Sequence, residues 1–389
     1  MAWITARKNK DGELYIGRDG KRRYDASYRD ESGKKYKKTF TRKIDAEQWI
    51  VSEQGKIQRG EWTDPARGKL RLRIYADQWL ETKRGTAPRT FIKLDGYVRN
   101  HIKPVFGDSP LNSIQPMQVR NWVRLLHDNG LAPSTVKAIY QAFRQIMTLA
   151  VIDQRISKNP CVGIEMPRDR NQQEMHFLTA EEVAVLAEAI CWMKVSHGKE
   201  QRDERHRCLI LMAAYTGMRA GELHALHQSR LDLNHGVVHV REGLSEVPKW
   251  VSPTGMLLGP TKTGKSRSIR LPAPLIAALK EHLHAFPSEK GYVFPARGGG
   301  FVRHHNFFRR RFKPAAERAG LPEDLRFHDL RHTAAAFFIA DGFNAKQLMD
   351  RLGHSSIRVT YDRYGHLFEG HDEDLLARLS ERMKMGEGL

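Results

Sequence analysis

The chain has 389 residues, room for two or three domains, and carries 65 Lys and Arg against 45 Asp and Glu, a formal charge of +20. That excess favours a polyanionic partner; no apolar run approaches the roughly 18 residues of a spanning helix, and the start MAWITARKNKDGELY lacks the apolar core of a secretory signal, which disfavours a membrane and points to the cytoplasm. Three cysteines (Cys161, Cys191, Cys208), an odd number without metal-ligand spacing, argue against a disulfide framework and read as small buried hydrophobes.

In chain order, residues 1–70 hold 18 Lys and Arg against 11 Asp and Glu. Tyr24, Ala26 and Tyr28 share one face of an extended run. A turn at Glu31 to Lys34 and a returning run with Tyr36 and Phe40 follow, and WITARK offers a third strand. KIDAEQWIVSEQGKI has helical spacing at Ile44, Trp49, Ile50 and Ile57, so a small sheet backed by one helix is predicted over 1–65. GEWTDPARGKL reads as a linker. Residues 72–165 give about four helices, broken at GTAPRT, GDSPLNSIQP and NGLAPST, where Ser or Thr can cap the next helix. RDRNQQEMHF reads as a second linker, and Thr179 with Glu182 forms a capping box that opens the region 175–389. The expectation is a multidomain α+β chain: sheet plus helix, then an all-α domain, then a mainly α domain with a small antiparallel sheet.

GPTKTGKS, Gly259 to Ser266, fits the phosphate-loop pattern G-x-x-x-x-G-K-[ST] at every fixed position. Such a loop needs a buried strand before it and a helix starting at Lys-Ser, whose N-terminus supplies donors to the phosphates. Neither flank complies. SRSIRLP alternates like a short strand, so the stretch reads as a β-hairpin with Lys262 to Lys265 near its turn. Further on, His328, Arg331 and His332 fall on one helical face, which is expected to present cations while Phe327, Leu330, Ala334 and Phe337 point elsewhere. His328 and His332 lack a third ligand for zinc, and the intervening Arg331 would repel a cation.

Taken together and in this order, YTGMRAGEL, PTKTGKSRSIRLP, HDLRHT and LGHSSIRVTYDRYGHLF resemble the tyrosine recombinase family, specifically phage-type integrases. The resemblance spans the whole chain. It implies an arm-type DNA-binding domain over 1–65, a helical core-binding domain over 72–165 and a catalytic domain over 175–389. It maps the family's catalytic residues onto Arg219, Lys262, His328, Arg331, His354 and Tyr364, with Glu222 buttressing the cations. The implied activity is site-specific recombination through a 3′-phosphotyrosine and a Holliday junction, with no metal, nucleotide or other cofactor. Implied partners are double-stranded DNA at core and arm sites, three further copies in a tetramer on paired sites, and a host DNA-bending protein and directionality factor. The setting is the cytoplasm of a bacterial host of a phage or mobile element.

Chemistry accommodates those assignments. A phenol with a pKa of about 10 needs help to attack a phosphodiester. Arg219 and Arg331 suit the charge that develops on phosphorus, His354 adds a donor, and Lys262 can protonate the leaving 5′-oxygen. His328 would accept the tyrosine proton or position the tyrosine. Periodicity does not separate Tyr361 from Tyr364; the family spacing selects Tyr364 and leaves His366 and His371 as structural or surface residues. AKQLMDRLGHSSIRVTYDRY also scans as the helix-turn-helix of a transcriptional regulator, which would bind DNA without catalysis. A type IB topoisomerase shares the chemistry, and STVK with KTG echoes penicillin-binding enzymes, which work outside the cytosol.

Overall fold

The computed structural model describes residues 2–30, 33–59, 62–168, 174–194, 199–368, 376–377 and 380–384. His371 lies outside them, as do parts of the turn at Glu31 to Lys34 and of the two linkers. The chain divides into two compact units, Met1–Gln172 and Gln173–Leu389.

The first unit begins with an antiparallel sheet of β1 (Ala2–Ala6), β2 (Tyr24–Arg29) and β3 (Lys35–Phe40), in that order. Ala26 pairs with Ile4 on one side and Lys38 on the other. Period-2 alternation turns Ile4, Tyr24, Ala26 and Phe40 to one face, where Ala46, Trp49 and Ile50 of α1 (Lys43–Gln58) pack on them. Ile44 is exposed. Trp62, expected in a linker, belongs to this core: its Nε1–H donates to the Tyr28 hydroxyl (2.8 Å) and its ring meets Tyr36 edge-on.

A separate core is built by α2 (Leu72–Glu81), α3 (Pro88–Tyr97), α4 (Lys103–Phe106), α5 (Pro116–Asp128) and α6 (Pro133–Ile152), with a π-helical turn at Val98–Ile102 joining α3 to α4. Phe106 stacks on Phe143, and Trp122 meets both rings edge-on. The expected Ser and Thr caps are absent at α3, α5 and α6. Each of these helices instead starts on a proline, whose fixed φ and missing N–H suit the first helical position.

In the second unit α7 (Ala180–Ala189) opens with the expected capping box: Glu182 N–H donates to Thr179 Oγ1 (3.2 Å) and Thr179 N–H to Glu182 Oε2 (2.8 Å). There follow β4 (Trp192–Lys194) paired with β5 (Glu200–Arg202), α8 (Arg207–Thr216), α9 (Ala220–His224), β6 (Leu231–Asp232), β7 (Val237–Val240), β8 (Glu242–Glu246), β9 (Met256–Pro260), β10 (Arg267–Arg270) and α10 (Ala273–Ala285). Then come α11 (His304–Phe307), a π turn at Phe308–Phe312, α12 (Lys313–Arg318), α13 (Asp329–Ala340), α14 (Ala345–Leu352) and α15 (Ile357–Tyr364). The apolar α8 forms the centre, with Leu209, Ile210, Met212 and Ala213 buried among residues of α7, α10, α12 and Leu330 of α13.

Two expectations need correction here. β9 and β10 are not a hairpin: β9 pairs with β8, while β10 pairs with β7. Pro260 lies opposite Glu242 and Arg267 opposite Val240, so residues 261–266 loop out of a strand facing the almost continuous 237–246 run. Alternation identifies a strand but not its partner. Second, α13 does not present cations to solvent. Arg331 and His332 are both buried, and only His328, the residue before the helix, is exposed.

Candidate active site

Gly217 ends α8 at φ +67°, a left-handed conformation, and a Cβ there would lie 2.4 Å from the Leu352 side chain. The turn it allows delivers Arg219 to the residue preceding α9. Arg219 N–H donates to Glu222 Oε2 (2.9 Å), its Nη1 donates to Glu222 Oε1 (2.9 Å), and its Nη2 to the Gly353 carbonyl (3.0 Å).

Three arginines converge on the C-terminal turn of α14, where helix carbonyls lack intrahelical partners. Arg267 Nε donates to the Arg351 carbonyl (2.8 Å), Arg331 Nη2 to that of Leu352 (2.8 Å) and Arg219 Nη2 to that of Gly353 (3.0 Å). They arrive from β10, α13 and the α8–α9 turn, and cap three successive carbonyls at the negative end of one helix. Gly353 makes the approach possible: its φ is +68°, and a Cβ would sit 3.0 Å from Arg267 Nη1. Arg331 Nη1 also donates to the Gly217 carbonyl (2.6 Å).

Glu222 neutralises part of this charge. Burial by itself would raise its pKa, but the paired hydrogen bonds from Arg267 and the charges of Arg267 and Arg219 outweigh it and hold the carboxyl at about 2. Burial and the nearby Arg219 press Arg331 down to about 9, against the pull of Glu222, so it stays cationic at neutral pH.

Immediately after this turn, His354 Nδ1 meets Thr360 Oγ1 (2.9 Å), and the His354 ring stacks on Tyr364 at 6.2 Å and 12°. Tyr364, the last residue of α15, is 0% exposed, and its hydroxyl lies 2.8 Å from His332 Nδ1. Burial raises the phenol pKa, opposed by Arg331, Arg363 and Arg219. Burial likewise pushes His332 down to about 4 and His354 to about 3, so both rings are neutral at pH 7. Tyr361 is 55% exposed and packs against Phe368.

Of the residues singled out in the sequence, Arg219, Arg331, His354 and Tyr364 are thus brought together, with Glu222 between two arginines. His328 is adjacent: its ring meets His332 at right angles, 5.0 Å away. The protein atoms around it, then His332, Arg331 and Arg363, press its pKa down to about 3. Lys262 is exposed on the 261–266 loop and makes no hydrogen bond or ion pair with any described residue. Thr261 Oγ1 closes that loop on the Lys265 carbonyl (2.7 Å), and β10 rather than a helix follows Ser266, so the context of a nucleotide-phosphate loop is missing.

Two members of the cluster were not among the expected catalytic residues. His332 rather than His328 touches the tyrosine hydroxyl; its signal was the helical face shared with Arg331. Arg267 was hidden by the hairpin reading of its strand. The helix-turn-helix reading of α14 and α15 does not account for the turn between them, where Arg219 meets the Gly353 carbonyl and His354 stacks on Tyr364. Among the described residues no group of three or more His, Cys, Asp or Glu is arranged to hold a metal ion.

Residues 176–371 match the sequence pattern described as the phage integrase family, and residues 72–127 match the N-terminal SAM-like domain of phage integrases. The putative prophage phiRv2 integrase of Mycobacterium tuberculosis is 32% identical, covering 93% of this chain and 94% of the relative. The integrase of Mycobacterium phage D29 is 29% identical, covering 97% and 98%. Among solved structures, the Tn1549 transposon integrase in complex with transposon right end DNA superposes with a TM-score of 0.68 at 20% identity, over 80% of this chain and 100% of that one. A lambda integrase tetramer bound to a Holliday junction gives 0.56 at 19%, over 88% and 95%.

Proposed function

Because the chain belongs to the phage integrase family of tyrosine recombinases, and is therefore a site-specific DNA recombinase, we propose that it cuts and rejoins strands through a 3′-phosphotyrosine on Tyr364. The observation that carries this reading is the burial of Tyr364 beside His332, His354 and the arginine cluster, while Tyr361 is exposed.

In the reaction, Tyr364 Oη attacks the scissile phosphorus and loses its proton. The bond to the 5′-oxygen breaks, and Lys262 protonates that leaving group. Arg219 and Arg331 each have N–H donors beyond those engaged with carbonyls, out of the five a guanidinium carries, and with His354 they balance charge on the pentavalent phosphorus. One such preorganised donor is worth roughly 3 to 4 kcal/mol. Neutral His332 orients the phenol at rest, and His328 beside it receives the proton. A fully buried hydroxyl does not reach DNA, so cleavage requires α15 to shift and release Tyr364 from His332. Reversal by a 5′-hydroxyl of the partner strand rejoins the duplex, and two such exchanges make and resolve a Holliday junction.

The wider reading follows the family. Residues 1–65 bind arm sites: the sheet face away from α1 carries Arg29, Lys35 and Lys37, and strands can read a major groove. Residues 72–165 and 175–389 embrace the core site as a tetramer on paired duplexes, with a host DNA-bending protein and a directionality factor, in the cytoplasm of a bacterial host. No helix among the described residues is long and apolar enough to cross a membrane. The test is covalent trapping on a nicked duplex carrying a candidate attachment site, in EDTA and without nucleotide. The expected result is a protein–DNA adduct for wild type and none for Tyr364→Phe; a strict need for Mg²⁺ or ATP would contradict the reading.

A further inference from the structure

We propose that Arg267 is a positioning residue for strand cleavage, acting through Glu222 to fix the guanidinium of Arg219. The proposal rests on the reading above in which Arg219 binds the scissile phosphate. Arg267 opens β10, and its side chain is nine-tenths buried. Its two terminal nitrogens take the two oxygens of Glu222, Nη1 to Oε1 at 3.0 Å and Nη2 to Oε2 at 2.7 Å. The same two oxygens accept Arg219 Nη1 and the Arg219 backbone N–H, each at 2.9 Å. One buried carboxylate therefore holds four donors, two from each arginine. Arg267 Nε, on the Arg351 carbonyl, then ties this unit to the turn that precedes His354.

The geometry separates positioning from contact. All three kinds of Arg267 nitrogen are committed to protein acceptors, and the forked match to a carboxylate is one that guanidinium makes and ammonium does not. Without Arg267, Glu222 keeps a single cation partner, and Arg219 is steered by one mobile carboxylate. Misplacement of a reacting contact by about 1 Å costs on the order of a hundredfold in rate. The strand itself has independent support, because Ile269 sits in the core and β10 keeps its pairing with β7.

The experiment is single-turnover cleavage of a nicked duplex carrying a candidate attachment site, at saturating protein, with DNA affinity and melting temperature measured on the same samples. Arg267→Ala is expected to slow cleavage by about 10- to 100-fold while changing DNA affinity by less than about threefold. Arg267→Lys, which keeps the charge and guards against a folding failure of the alanine variant, is expected to retain less than about a tenth of the rate at near wild-type melting temperature. Since the two residues act as one unit, Glu222→Ala with Arg267→Ala is expected to be no slower than the worse single variant by more than about threefold. Wild-type cleavage by Arg267→Ala, full rescue by Arg267→Lys, or multiplying defects in the double variant would each overturn the proposal. An absent adduct in the wild-type control would instead remove the functional reading, and this proposal with it.

Discussion

Tyr364 and Tyr361 are three residues apart on one short helix, yet one is sealed under His332 and the other lies in solvent. The His332 contact has a measurable worth. A buried hydroxyl left without a partner costs about 1 to 3 kcal/mol, so His332→Phe should destabilise the chain by that amount in denaturant unfolding. Adding Tyr364→Phe should recover a large part of the loss; no recovery would show that the two groups do not satisfy each other. A second expectation concerns His224, buried in α9 among His304, Phe307 and Phe327. Burial, then the neighbouring His304 and His206, pushes its pKa down to about 3. The folded value lies below the unfolded value near 6.5, so the folded state is favoured fully above about pH 6.5 and loses stability as pH falls toward 3. At pH 5 that loss is on the order of 2 kcal/mol for His224 alone, and His206, His354 and His332 shift the same way. His224→Phe should therefore show a smaller drop in melting temperature between pH 7.5 and pH 5 than wild type. An equal drop would mean that His224 is not the group being titrated.

Among elements, those set by local chemistry were legible. Thr179 and Glu182 marked the start of α7, alternation located β2 and β3, and the motif order collected four of the six expected site residues in one place. What was not legible depends on partners distant in sequence. Arg331 is buried because Gly217 and Leu352 offer it carbonyls, and no periodicity in α13 announces those acceptors. The β7–β10 pairing is likewise long-range, so a loop on a paired strand looked like a hairpin turn. That loop, 261–266, gives an element-scale prediction. Lys262→Ala should slow single-turnover cleavage by about 100- to 10,000-fold, the range typical of general acid catalysis, and Lys265→Ala by far less. A DNA substrate with sulfur at the leaving 5′ position, which needs no proton to depart, should restore Lys262→Ala. The reverse ranking of the two lysines would assign the acid to Lys265.

For the whole molecule, the sheet with α1 and the helical cluster have separate apolar cores inside the first unit, which suits separate DNA-binding tasks. A fragment of residues 1 to about 65 should bind one DNA sequence in preference to others at moderate salt, and deleting it should spare core-site cleavage but impair integration. Indifference to sequence would remove the arm-binding role. Leu376 and Met383 are exposed, and docking of this segment on a neighbouring copy is a proposal that truncation tests. Truncation after about Gly370 should preserve site binding and weaken the tetramer on paired sites, as read by analytical ultracentrifugation; an unchanged tetramer would exclude that role. The central claim is that one buried phenol becomes covalently joined to DNA. Its most direct measurement is proteolysis of the trapped protein–DNA adduct followed by mass spectrometry of the peptide that carries the nucleotide. The nucleotide is predicted on Tyr364, linked through its 3′-phosphate; a nucleotide on Tyr361, or an adduct that persists in Tyr364→Phe, would contradict the account.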